Sequence, residues 1–176
     1  MTDKKEKKLN SETIYEGKIF TVTRDEVELS NGLLRKREIV HHSGGVVILA
    51  EKGSKILLVE QYRYATGETL YELPAGKLDK PDEDILSAAK RELEEETGHI
   101  ANNWESLGFI WPTPGFCTEK LHLFFATDLT YTKPQPEEGE ILDFFEIEKE
   151  EVFKMIKNHK INDAKSICAI MRAYKL

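Results

Sequence analysis

Between Arg91 and Gly98 the chain reads RELEEETG, and the spacing of its acids constrains the fold more than any other segment. In a helix, at about 100° per residue, Glu92, Glu95 and Glu96 fall within an arc of roughly 100° on one side, while Glu94 points to the other. A run of acids on a helix is by default a solvated face. Here an Arg precedes the first Glu, a Gly closes the helix, and Gly76 and Glu83 stand upstream in AGKLDKPDEDILSAAK. At residue frequencies of roughly 5 to 7% each, matching the Arg, the three Glu and the Gly is about a one in several thousand event. The segment predicts a helix from about Asp84 to Thr97, with one edge gathering carboxylates that share divalent cations.

The same residues resemble the signature of the Nudix hydrolases, G-x5-E-x7-R-E-U-x-E-E-x-G-U, where U is aliphatic. From Glu83 to Gly98 the spacing matches. Upstream, six residues rather than five separate Gly76 from Glu83, and Asp82 sits where strict counting would put the acid. A one-residue insertion before the helix accounts for this, since loops tolerate length changes best. The last aliphatic position holds His99, followed by Ile100. Histidine is a common metal ligand, but just past a helix-ending Gly, His99 is expected to be an ordinary surface residue.

Length and charge narrow the classes. With 176 residues the chain suits one compact domain with a small appendage. A net charge of -7, with no basic cluster beyond the first ten residues, argues against nucleic acid as the main partner. The start, MTDKKEKKLN, lacks an apolar run and reads as neither signal peptide nor anchor, and nothing approaches the roughly 20 apolar residues of a membrane span. Two cysteines, Cys117 and Cys168, make no disulfide framework, so a reduced cytoplasmic protein is expected. Cys117 is read as a packing thiol.

Strand-like runs from Lys18 to Leu29 and Leu33 to Val40 flank Ser30-Asn31-Gly32, and Asn-Gly is a strong hairpin signal. A second pair, Val46 to Ala50 and Lys55 to Gln61, surrounds Glu51-Lys52-Gly53-Ser54. Further strands are expected at Thr69 to Glu72, Glu105 to Trp111 and Leu121 to Asp128. Helical spacing recurs from Lys149 to Lys157 and Asn162 to Tyr174, both read as scaffold. The run Lys133 to Gly139 is linker-like.

This order predicts an α+β protein, an α/β/α sandwich with a mixed central sheet and helices on both sides. The resemblance implies the Nudix fold for residues 43–176, with residues 1–42 an N-terminal extension. A lone pair of strands is unstable. In the ADP-ribose pyrophosphatases, the Nudix subfamily this chain resembles, such strands are exchanged across a homodimer; packing on the chain's own domain is the alternative.

Hydrolysis of a phosphoanhydride needs its negative charge masked and a nucleophile made from water. Carboxylates suit Mg²⁺, a hard cation that prefers oxygen and keeps several waters. Two or three Mg²⁺ ions are expected, with Mn²⁺ the substitute, and no Cys or His cluster favours zinc. By the resemblance, Glu92 and Glu96 are the main ligands, Glu95 an accessory ligand, and the carbonyl of Ala75 a further one, while Arg91 orients an acid.

The segment WPTPGFCTE, Trp111 to Glu119, resembles the SPGF-type loop of ADP-ribose pyrophosphatases. Pro114 stands fifteen residues beyond His99, about where that subfamily carries a diagnostic Pro. Glu119 is then the candidate general base, with Glu95 the runner-up and Glu96 a further catalytic acid. Arg63, in VEQYRYATGETLYELPAGK, matches an Arg near the diphosphate, where a forked guanidinium is apt. By the same resemblance, Arg37 occupies a position where the subfamily supplies an Arg from the partner subunit, and Phe20 is the candidate for stacking on adenine. His42-Ser43-Gly44-Gly45 matches the family's His-Pro-Gly-Ala stretch only approximately.

The expected reaction is Mg²⁺-dependent hydrolysis of ADP-ribose to AMP and ribose 5-phosphate by a metal-activated water. A pyrophosphatase for another nucleoside diphosphate sugar is the second enzyme reading. A non-catalytic nucleotide-binding Nudix module is the reading from another class, disfavoured because such modules usually lose acids that this chain keeps.

Overall fold

The computed structural model describes residues 4–80, 82–135 and 139–175. Contacts divide the chain into two compact units, one made of the residues up to Gly44 with Trp111–Lys120, the other of Gly45–Ile110 and Leu121 onward.

In the first unit, β1 (Lys7–Glu16), β2 (Phe20–Glu28) and β3 (Leu34–His42) form an antiparallel sheet in the order β1-β2-β3. The Asn-Gly signal between β2 and β3 works as expected. Gly32 takes φ 82°, and the Asn31 side chain accepts from the Leu33 N–H at 3.1 Å. Two strands were expected before residue 43; the third, β1, is exposed along all ten residues. Its mixed polar sequence carries no burial pattern, and only pairing with β2 defines it. The segment Trp111–Lys120 lies along β3, where the Val40 N–H donates to the Phe116 carbonyl and the Thr118 N–H to that of Val40.

The second unit is built on a mixed sheet in the order β10-β5-β4-β9-β8, comprising β4 (Gly45–Lys52), β5 (Lys55–Arg63), β8 (His99–Ile110), β9 (Leu121–Tyr131) and β10 (Leu142–Glu148). β6 (Glu68–Glu72) pairs with β5, and β7 (Ala75–Lys77) with β4. Only β4 and β9 run parallel within this sheet among the described pairs. The side chains of β4 alternate between two cores. Val47 and Leu49 join α2 (Lys149–Lys157) and α3 (Ala164–Tyr174) through Val152, Met155, Ala169 and Ile170. Val46, Ile48 and Ala50 join α1 (Ile85–Thr97) through Ala88, Ala89 and Leu93. Helices therefore cover both faces, the expected α/β/α arrangement, and each fully buried Leu or Ile contributes roughly 1.5–3 kcal/mol.

Three expectations are corrected. β7 and β10 were not foreseen, and β8 begins at His99 rather than Glu105. His99 is no surface residue: it has 0% exposure, because Gly98 at φ 65° turns the chain straight from the helix into β8. Its ring lies edge-on to Tyr131 and Phe144, with Nδ1 at 2.9 Å from the Thr97 carbonyl oxygen. Of the linker-like run, residues 136–138 lie outside the described residues; before them, the Gln135 N–H donates to the Glu95 carbonyl at 2.9 Å.

Candidate active site

Helix α1 places the acids. Asp84 caps its first turn, accepting from the N–H groups of Leu86 and Ser87 at 3.0 and 3.1 Å, and Gly98 closes its last. With Ala88, Ala89 and Leu93 anchored in the core, Glu92 and Glu96 come to the buried side, at 8% and 3% exposure. Glu94 leaves the other way, within 3.3 Å of the Thr132 hydroxyl.

Arg91 organises the acid edge. Its Nε and Nη2 donate to both oxygens of Glu83, at 2.9 and 3.0 Å, and its Nη1 reaches Glu92 and Glu95 at 2.7 Å each. The expected partner of one acid thus holds three. The Ala75 N–H donates to Glu96 at 3.1 Å, and a Cβ on Gly76 would overlap the Glu92 carboxylate. This close approach brings β7 against the helix, and Gly76 is the residue that permits it.

Burial dominates the titration of these acids. It pushes Glu92 up to about 7, aided by repulsion from Glu95 and Glu140 and opposed by Arg91. Glu96 is also held well above the ordinary carboxylate range, by burial and then by Glu140 and Glu92. Glu140 therefore adds negative potential to the same site. It was missed because it ends the acidic run after Pro136, read as a linker; an acid just before strand β10 was the available signal.

Among the described residues no three His, Cys, Asp or Glu form a ready-made metal cage, Arg91 being bonded to the acids' oxygens. The donor set nevertheless fits a hard divalent cation. Its side-chain donors are all carboxylate oxygens, two of the acids are buried beside like charge, and the Glu92 carboxylate lies directly against Gly76.

Arg63, at the end of β5, donates through Nε and Nη2 to Glu72 at 2.7 and 2.8 Å, and its charge acts on Glu96. Ala75, Glu92, Glu95, Glu96 and Arg63 belong to the second unit; Phe20, Arg37, Pro114 and Glu119 belong to the first. There, Arg37 forms a forked pair with Glu6 at 2.7 and 3.0 Å, and Phe20, partly exposed, is tilted against Tyr15 at 5.6 Å between centroids. Pro114 lies in a turn whose Thr113 carbonyl accepts from the Cys117 N–H. Glu119 Oε1 stands 3.6 Å from His42 Nδ1, which accepts from the Gly44 N–H at 3.0 Å.

A helix with a capped acidic edge, seated on a mixed sheet against a glycine-bearing strand, gathers oxygen donors suited to a divalent cation beside a phosphate. The NUDIX domain model matches residues 40–170, and the nucleoside diphosphate sugar hydrolase N-terminal domain matches residues 6–40. The chain belongs to the Nudix hydrolase family. It is 38% identical over 174 residues to the ADP-ribose pyrophosphatase of Bacillus subtilis, covering 97% of this chain and 93% of that protein. It is 39% identical over 168 residues to the methanol dehydrogenase activator of Bacillus methanolicus, covering 94% and 90%. A crystal structure of an ADP compounds hydrolase superposes with a TM-score of 0.86 at 26% identity, covering 97% of this chain and 93% of that one.

Proposed function

We propose that this chain hydrolyses the diphosphate of ADP-ribose, giving AMP and ribose 5-phosphate. The observation that carries the reading is the buried pair set against β7, Glu92 against Gly76 and Glu96 on the Ala75 N–H, in a chain whose relatives include an ADP-ribose pyrophosphatase over nearly its whole length.

Glu92, Glu96, the Ala75 carbonyl and, as an accessory, Glu95 are the groups that would hold two or three Mg²⁺ ions. Bound there, the cations would mask diphosphate charge and lower the pKa of water. Arg91 keeps Glu92 and Glu95 oriented, and Arg63 grips a phosphate oxygen. Glu119 takes the proton of the attacking water, with Glu95 the second choice among the candidates. Pro114 contributes to substrate binding at the start of the Glu119 segment, Phe20 stacks on adenine, and Arg37 leaves Glu6 to bind substrate across a homodimer in which residues 1–42 are exchanged. The placement is cytoplasmic, in keeping with the free thiols of Cys117 and Cys168; no described helix is long and apolar enough to cross a membrane.

Incubation with ADP-ribose and Mg²⁺, with AMP scored by chromatography beside Glu96→Gln and a panel of nucleotide sugars, tests the reading. AMP from the wild type alone, with ADP-ribose preferred, supports it. Turnover of another panel member alone moves the substrate to that sugar, and silence across the panel favours a binding module. Analytical ultracentrifugation tests the dimer, which a monomer at assay concentration would exclude.

A further inference from the structure

Glu72 is 2% exposed at the end of β6, where an isolated carboxylate would be costly, yet it has three donors. Its Oε1 accepts from Arg63 Nε; its Oε2 accepts from Arg63 Nη2 and from Lys165 Nζ on α3. Burial pushes its pKa up, but Arg63 and Lys165 outweigh burial and hold it below the ordinary range. We infer that Glu72 and Lys165 are positioning residues that clamp one edge of the Arg63 guanidinium and leave its Nη1 edge to a substrate phosphate. The inference rests on Arg63 being a diphosphate-binding residue.

The clamp is anchored from the C-terminal helix. Lys165 also donates to Asp163 at 3.0 Å, and Asp163 caps α3 by accepting from the Ser166 N–H. The Ser166 hydroxyl in turn accepts from the Leu73 N–H at 2.7 Å. The first turn of α3 is thus fastened both to the carboxylate of Glu72 and to the backbone after it, two residues before Ala75. Arg63 has Nε and Nη2 fully used by Glu72; among the described residues Nη1 has no partner. A free arginine would have to order a long flexible side chain on binding, whereas this one is held in a single plane beforehand. Its side chain is 41% exposed, so the third nitrogen is accessible.

The test is steady-state hydrolysis of ADP-ribose by the full chain carrying Lys165→Met, Lys165→Arg, Glu72→Gln, Arg63→Ala, or Arg63→Ala with Lys165→Met, each with its melting temperature. Lys165→Met, which keeps the apolar stem, is the primary variant if Glu72→Gln does not fold. The expected result is a KM raised about tenfold with kcat within about twofold, as for loss of one charge-assisted contact to substrate. Lys165→Arg restores KM, and the Lys165→Met effect disappears when Arg63 is already Ala. An unchanged KM in Lys165→Met overturns the inference, as does an equal rise in the Arg63→Ala background. An unchanged KM in Arg63→Ala instead removes the diphosphate role of Arg63, and the inference with it.

Discussion

The carboxylate of Glu92 fills the space that a side chain on Gly76 would occupy. The strand presents nothing but a hydrogen there, so the Glu92 carboxylate rests directly on the strand backbone.

Gly76→Ala is the direct consequence. The added methyl displaces Glu92 or drives β7 away from the helix, and a misplacement of about 1 Å near reacting groups costs on the order of 100-fold in rate. Turnover of Gly76→Ala within threefold of wild type would sink this view of the cradle.

Binding of a divalent cation relieves the repulsion among Glu92, Glu96 and Glu140. Mg²⁺ should raise the melting temperature, by an amount equivalent to about 2.7 kcal/mol when present at about 100 times its dissociation constant. The increment should shrink in Glu96→Gln, and EDTA should abolish turnover. A melting temperature indifferent to Mg²⁺ in wild type would count against the acids as ligands.

In the proposed reaction Glu119 is the candidate base and Glu95 the runner-up. If Glu119 takes the proton, Glu119→Gln loses about 100-fold or more in kcat, while Glu95→Gln changes mainly the Mg²⁺ requirement. Near-normal turnover in Glu119→Gln, with loss in Glu95→Gln, would transfer the role to Glu95.

His99, just past the end of α1, gives the molecule an acid-side weakness of its own. Burial is the main influence lowering its pKa below its ordinary value, with Lys52 adding to it and the Thr97 carbonyl and Glu146 opposing. A depressed folded pKa means that the unfolded chain binds the proton more readily. Stability is therefore full above about pH 6.5 and falls as pH drops through that value toward the folded pKa. Thermal melts between pH 5 and 7.5 should show this loss, and His99→Leu should flatten the profile; an identical slope in both proteins would assign the loss to other groups.

What the residues announced in advance was local. Helix α1 was legible because its cap, its acids and its closing Gly98 lie within one short stretch, and the Asn31-Gly32 hairpin for the same reason. The clamp on Arg63 was not, since Glu72 and Lys165 are separated by much of the chain, and a strand end and a helix start give no sign in sequence that they meet. His99 was misread because the rule used for it describes the residue after a helix, whereas the strand that follows at once buries it. β10 escaped notice because its phenylalanines Phe144 and Phe145 stand among acids, and β1 because its partner β2, rather than any pattern of its own, makes it a strand. Glu140 was hidden by an acidic, proline-containing neighbourhood that reads as spacer.

The alternation along β4 makes that strand a partition between two separately tunable rooms. Ile48 faces the room whose wall is α1 and its acids, and Leu49 faces the room of α2 and α3, where the Lys165 anchorage begins. A methyl removed from Ile48 would loosen the packing behind the acids of α1, and one removed from Leu49 the packing behind α3, so amide exchange in the two sets of helices would respond separately. If the acids hold cations and Arg63 holds phosphate as proposed, two adjacent positions of one strand tune the two functions apart.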